Sequence, residues 1–130
     1  MSSIVFLSVQ DVMDIHERVI MEFGGDLGLR DRGLLESAVA MPGATFSGSF
    51  LHPGVAEMAG AYHFHLCSNH TFIDGNKRVA VASAEVFLLL NGFELSASDD
   101  ELEGLTMELA MGKISKEQVI EFFKKHTEEV

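Results

Sequence analysis

The sequence predicts an all-α protein: a compact helical bundle around a buried central helix at about 76–90, with a small flap or hairpin near 43–53. Three observations predict it. Serines stand ahead of amphipathic stretches with Asp, Glu or Gln three residues on (Ser8 with Asp11, Ser98 with Glu101, Ser115 with Gln118), the reciprocal pattern that satisfies the free amides of a helix start. Gly and Pro punctuate the chain between those stretches. The run Val79, Ala80, Val81, Ala82, Ala84, Val86, Phe87, Leu88, Leu89 and Leu90 leaves hardly any polar face, and a helix apolar all round belongs in the middle of a domain.

Taken in order, the first helix spans about 9 to 23. Its stripe of Val12, Ile15, Val19 and Phe23 follows the helical period, and Gly24-Gly25 ends it. After a loop, Asp31 suits the N-cap of a short helix through Leu34, Leu35 and Ala38. Pro42 stops that helix, having no amide to donate. Residues 43–53 mix Gly43, Gly48, serines and Pro53 with Phe46, Phe50 and Leu51, and read as the flap. Pro53 suits the first position of a helix to about Ser68, whose stripe Val55, Met58, Ala59, Tyr62 and Leu66 reads as core. Helix 76–90 stops at Asn91-Gly92. The last two helices run from Ser98 to about Met111 and from Ser115 to about His126. The acidic run Asp99-Asp100-Glu101 reads as charge favoured at a helix start.

At 130 residues with 47% hydrophobic content, the chain reads as one ordered domain over 1–130. Its single cysteine, Cys67, has no internal disulfide partner, which suggests a reducing, cytoplasmic setting. No apolar run approaches the roughly 20 residues of a membrane span. The start of the chain lacks the basic region of a signal peptide. A net charge of −11 with nine Lys and Arg argues against nucleic-acid binding, which needs a basic face. It also makes any cluster of cations conspicuous. His63 and Cys67 are spaced four apart on one helix face, but read as a surface histidine and a packed cysteine rather than metal ligands.

The chemistry concentrates in nine residues, His70-Thr71-Phe72-Ile73-Asp74-Gly75-Asn76-Lys77-Arg78. Two cations at a helix start oppose the roughly half positive charge already there, a placement that an anion between them would resolve. Gly75 can take positive φ and turn consecutive amides toward one point, where they join the free amides of the helix start as an anion cradle. Asn76 can cap the helix. Lys77 and Arg78 can neutralise phosphate oxygens, one as a point charge and one as a fork. Asp74 offers the one carboxylate that Mg²⁺ needs when phosphates and water fill its other positions. His70 carries an imidazole that can take a proton from an attacking hydroxyl. Phe72 would anchor the loop in the core. Spacing alone leaves a plainer alternative open: Asp74-Gly75 as a simple turn, Lys77 and Arg78 as solvated charge, His70 as a helix C-terminal residue.

The nine residues resemble the signature of the Fic/Doc superfamily, His-Pro-Phe-x-(Asp/Glu)-Gly-Asn-x-Arg. With Lys77 before Arg78 they look like its death-on-curing (Doc) branch. Phe6-Leu7-Ser8, the stretch Gly28 to Ala38 and Asn91-Gly92-Phe93 are also similar to that family. The resemblance implies a Fic-type all-α fold and transfer of part of a nucleotide, here ATP with Mg²⁺, to a protein hydroxyl. Most Fic enzymes transfer AMP. The Doc branch implies a toxin of a toxin–antitoxin module that phosphorylates a translation elongation factor such as elongation factor Tu and arrests translation. By position, His70 would be the base and Asp74 the Mg²⁺ ligand. Gly75, Asn76, Lys77 and Arg78 would bind phosphates, and the flap at Phe46, Ser47 and Gly48 would dock the target, by strand addition.

The departures carry information. Thr71 stands where Pro is usual. Lys77 replaces the glycine of AMP-transferring members and fills space in the cradle, which favours γ-phosphoryl over AMP transfer. Val81 replaces a second arginine common in those members. The self-inhibiting pattern (Ser/Thr)-x-x-x-Glu-(Gly/Asn) fails at Glu103-Gly104, where Asp99 holds the upstream place. The resemblance therefore implies inhibition by a separate antitoxin whose tail folds into a groove near the site. AMP transfer, and a non-catalytic module that binds nucleotide or antitoxin, remain the alternatives.

Overall fold

The computed structural model describes residues 3–130; residues 1–2, with which the expected 1–130 domain begins, lie outside the described residues. Six helices are found among them: α1 Val9–Phe23, α2 Arg32–Ala40, α3 Val55–Ser68, α4 Asn76–Leu90, α5 Asp99–Ala110 and α6 Lys116–His126. All three serine capping boxes form, at Ser8, Ser98 and Ser115, and the Asp31 carboxylate accepts from the Leu34 amide. The flap is a hairpin, β1 (Thr45–Phe46) against β2 (Ser49–Phe50), with Thr45 opposite Phe50. Its two turn residues, Ser47 and Gly48, both have positive φ (51° and 83°), as a type I′ hairpin turn requires.

The centre of the bundle is shared rather than owned by α4. Met58, Ala59, Ala61, Tyr62 and Leu66 of α3 are almost wholly buried, and α3 packs between α4 on one side and α6 on the other. A Cβ on Gly60 would stand 3.1 Å from the Ile120 Cα, so glycine lets the α3 and α6 backbones approach. Val79, Ala80, Ser83, Ala84, Phe87 and Leu88 of α4 are buried. Its other side is only partly covered. Val81, Ala82 and Glu85 border an open cleft, and Leu89 and Leu90 are exposed at its end. The apolar composition of α4 thus reflects a cleft wall as well as a core face.

Other differences from the sequence reading have local causes. Helix α3 starts at Val55 with Gly54 as its cap, two residues after Pro53. Phe23 leaves the α1 stripe and is exposed, while His16 and Ile20 take buried places on that face. His63 is wholly buried, not on the surface. Its Nε2 lies 2.8 Å from the Thr106 hydroxyl, which itself donates to the Leu102 carbonyl. Nε2 therefore carries the proton and donates, and burial pushes the pKa of His63 down to about 4. A second small sheet pairs β3 (Phe93–Leu95) with β4 (Thr127–Glu129), antiparallel. It clasps the chain end to the segment after α4. Its strands are only three residues long, too short for the alternation of Phe93-Glu94-Leu95 to mark a strand in sequence, and Thr127-Glu128-Glu129 has none.

Candidate active site

The site is built where α3 ends, α4 begins and the loop after α1 crosses both. The connection 69–75 is stitched to residues 26–31. The Thr71 carbonyl accepts from the Arg30 and Asp31 amides at 2.9 and 3.1 Å, and the Ile73 amide donates to the Gly28 carbonyl at 2.9 Å. The Arg30 guanidinium reaches across as well, donating from Nε to the His70 carbonyl (2.6 Å) and from Nη2 to the Asn69 carbonyl (3.1 Å). A cation is thereby placed against the carbonyl end of α3, where it is electrostatically favoured. Phe72 is 2% exposed and anchors the loop as expected.

Gly75 adopts φ +79°, and it, not Asn76, is the N-cap of α4, with no side-chain capping bond. Asn76 instead staples the loop: its Oδ1 accepts from the Phe72 amide at 3.0 Å and its Nδ2 donates to the Phe72 carbonyl at 2.9 Å. An asparagine that matches both backbone groups of one residue cannot also cap, so the cap falls to the left-handed glycine. The first-turn amides of Asn76, Lys77 and Arg78 find no partner among the described residues. They are the free donors that a helix start presents to an anion.

The Asp74 carboxylate is oriented by backbone. Its Oδ1 accepts from the Gly75 amide (2.9 Å) and its Oδ2 from the Asp26 amide (3.3 Å). Gly25 allows this approach, because a Cβ there would lie 2.6 Å from Asp74 Oδ2. Below the turn, His16 of α1 stacks flat on Phe72, ring centroids 3.7 Å apart and 7° from parallel. Its Nε2 lies 2.8 Å from the Asp74 carbonyl.

His70, Asp74, Gly75, Asn76, Lys77 and Arg78 all border one cleft of about 720 Å³. His70 is exposed and holds a left-handed φ of 50°, a conformation that a side-chain-bearing residue keeps only under local constraint; the Arg30 clamp on its carbonyl supplies one. The Arg78 guanidinium lies 4.1 Å from the centroid of the Phe23 ring, a cation–π arrangement at the cleft mouth. Glu85, two turns along α4 from Arg78, also lines the cleft, as do Asp99 and Glu103 of α5. The carboxyl of Glu85 is raised above the usual range by burial and by the nearby Asp99. Cys67 also borders the cleft; burial raises its thiol pKa, against the pull of Lys77. An exposed imidazole, one oriented carboxylate, free amides and two cations in one cleft can position a phosphate chain against a hydroxyl and take the hydroxyl proton.

Among the described residues no group of three or more His, Cys, Asp or Glu forms a metal site. Asp74 alone, with one lone pair left on each oxygen, fits an ion that takes most of its ligands from phosphates and water. The hairpin residues Phe46, Ser47 and Gly48 do not border the cleft. The hairpin is tied through Phe50 to Phe6 and from Phe6 to Phe87, each at 6.0 Å between centroids. Phe87 stands eleven residues along α4 from Asn76, about 16 Å at the helical rise.

His16, Arg30 and Glu85 had no assigned role in the sequence reading. A lone histidine on the buried face of α1 and an arginine in an acidic chain were the available signals.

A family model described as Fic/DOC family matches residues 6–88. The chain is 47% identical over 78 residues to a protein named Toxin Doc from Mycolicibacterium smegmatis, a match covering 60% of this chain and 60% of that protein's length. It is 29% identical over 119 residues to one named Protein kinase doc from Escherichia phage P1, covering 92% and 93%.

Proposed function

The chain belongs to the Fic/DOC family, and from that premise we propose that it is a Doc-like toxin, a single Fic/Doc domain that transfers the γ-phosphate of ATP to a Thr or Ser hydroxyl of a protein target. The observation that carries this reading is the start of α4, which no side chain caps. Three free amides, Lys77 and Arg78 stand together on a cleft that also holds Asp74 and His70. The names of the two relatives, a toxin and a protein kinase, support the same reading.

His70 takes the proton of the attacking hydroxyl. The amides of Asn76, Lys77 and Arg78 receive phosphate oxygens, and the two side chains neutralise them, so that the transfer rests on positioning and electrostatics. Arg78 is drawn from the Phe23 ring as a phosphate arrives. Asp74 holds Mg²⁺, which when bound neutralises phosphate charge. Val81, where AMP-transferring members carry a second arginine, leaves that part of the cleft wall apolar. The hairpin docks the target. Its short strands have free edges, and Phe46 is 73% exposed at its tip, a surface suited to strand addition. The target is a translation elongation factor, elongation factor Tu in particular, and its modification arrests translation. A cognate antitoxin inserts its tail along the cleft, whose Phe23, Ile73 and Met107 offer an apolar wall.

Incubation with γ-labelled ATP, Mg²⁺ and a bacterial extract is expected to label one protein. His70→Ala should reduce labelling by about 10²- to 10⁴-fold with little change in stability, since the side chain is exposed. Labelling from α-labelled ATP would replace this reading with AMP transfer. Equal growth arrest by wild type and His70→Ala would replace it with a non-catalytic binding module.

A further inference from the structure

His16 lies outside the nine-residue motif by more than fifty positions, yet it touches the motif's turn from below. Three observations converge on it. It is 2% exposed on a helix face otherwise lined by Val12, Val19 and Ile20. Its ring is stacked on Phe72. Its Nε2 is 2.8 Å from the Asp74 carbonyl oxygen. A carbonyl only accepts, so Nε2 carries a hydrogen and donates. The contact is close on the neighbouring residue too: a Cβ on Gly75 would lie 3.5 Å from the same nitrogen and 3.1 Å from Ile20 Cδ1.

The geometry of the peptide unit gives this bond its leverage. In a trans peptide the carbonyl and the following amide point in opposite directions within one plane. Drawing the Asp74 carbonyl down toward α1 therefore turns the Gly75 amide up, away from α1. That amide is the one that meets Asp74 Oδ1. The orientation of a single peptide plane thus decides where the Asp74 carboxylate sits and how α4 begins its first turn. We propose that His16 is a positioning residue for the transfer site: its Nε2–H fixes the Asp74–Gly75 peptide, and through it the carboxylate that faces the cleft. This rests on the phosphotransfer reading above only in what the carboxylate is positioned for.

Three variants separate the hydrogen bond from the stacking. His16→Phe keeps the ring and loses the donor. His16→Gln places an amide nitrogen near Nε2 and loses the ring. His16→Asn carries its nitrogen too short to reach. Two readouts are taken on the full chain well below its melting temperature: the Gly75 amide resonance by ¹⁵N NMR without nucleotide, and the Mg²⁺ concentration for half-maximal phosphoryl transfer. His16→Phe and His16→Asn are expected to move the Gly75 resonance and raise the Mg²⁺ midpoint about 10- to 100-fold, the range for loss of a group that orients a metal ligand. His16→Gln is expected to stay near wild type in both. An unmoved Gly75 resonance in a folded His16→Phe or His16→Asn protein overturns the proposal, as does His16→Gln behaving like His16→Phe. If wild type transfers no phosphate, the phosphotransfer reading fails, while the Gly75 resonance still decides what His16 positions.

Discussion

Two residues of the nine-residue motif make opposite demands on their surroundings. Asn76 satisfies both backbone groups of Phe72, a residue that is nearly wholly buried. Asn76→Ala would strand an amide and a carbonyl, each costing about 1–3 kcal/mol when left unpaired. Urea unfolding is expected to show a loss of about 2 kcal/mol or more, with transfer activity falling too as the loop loosens. Thr71, at the place of the family's proline, is the reverse case. It is wholly buried and its hydroxyl finds no partner among the described residues. Thr71→Val keeps the β-branched shape and removes the unpaired oxygen, so it is expected to stabilise the protein by about 1 kcal/mol in the same assay. A destabilised Thr71→Val would mean that the hydroxyl holds a partner such as water.

Among the elements of the bundle, α3 and α6 come into near backbone contact at Gly60. Alanine there gains up to about 1 kcal/mol of helix propensity but must push α6 away, at about 1–3 kcal/mol for overpacking. Gly60→Ala is expected to lower the unfolding free energy by about 1 kcal/mol on balance; a gain in stability would show that α6 shifts freely. Contacts of this kind explain which parts of the fold the sequence disclosed. Capping boxes at Ser8, Ser98 and Ser115 are local, written within four residues, and each helix start they mark is where they put it. The position of α3 between α4 and α6 depends on which faces meet in space, and an apolar run such as Val79–Leu90 does not say whether its far side meets protein or a cleft. The site divides the same way. His70, Asp74 and Lys77 lie within one stretch of nine residues and are visible as a motif, whereas Arg30 and His16 reach it only through the fold.

Across the whole molecule, burial sets the response to acid. His63 and His65 both have pKa values lowered to about 4, chiefly by desolvation, from an ordinary 6.5. The unfolded chain therefore binds protons that the folded one refuses. Stability is fully present above pH 6.5, falls as pH drops through that value, and goes on falling until about pH 4. For His63, at about 1.4 kcal/mol per pKa unit, the loss is on the order of 2 kcal/mol by pH 5. His63→Met, which cannot titrate, is expected to make urea-derived stability less steep between pH 7 and pH 5, with the slope from His65 remaining; an equally steep profile would mean that His63 gains a partner on protonation. The contact between α3 and α6 bears also on the order in which the protein comes into being. Every residue of the nine-residue motif has been synthesised by Arg78, but the α3 face that holds Gly60 stays bare until α6 follows, with its wholly buried Val119 and Phe123. A growing chain thus carries the complete motif for some forty residues before it can close the bundle behind it. The motif is thus complete in sequence well before it is complete in structure.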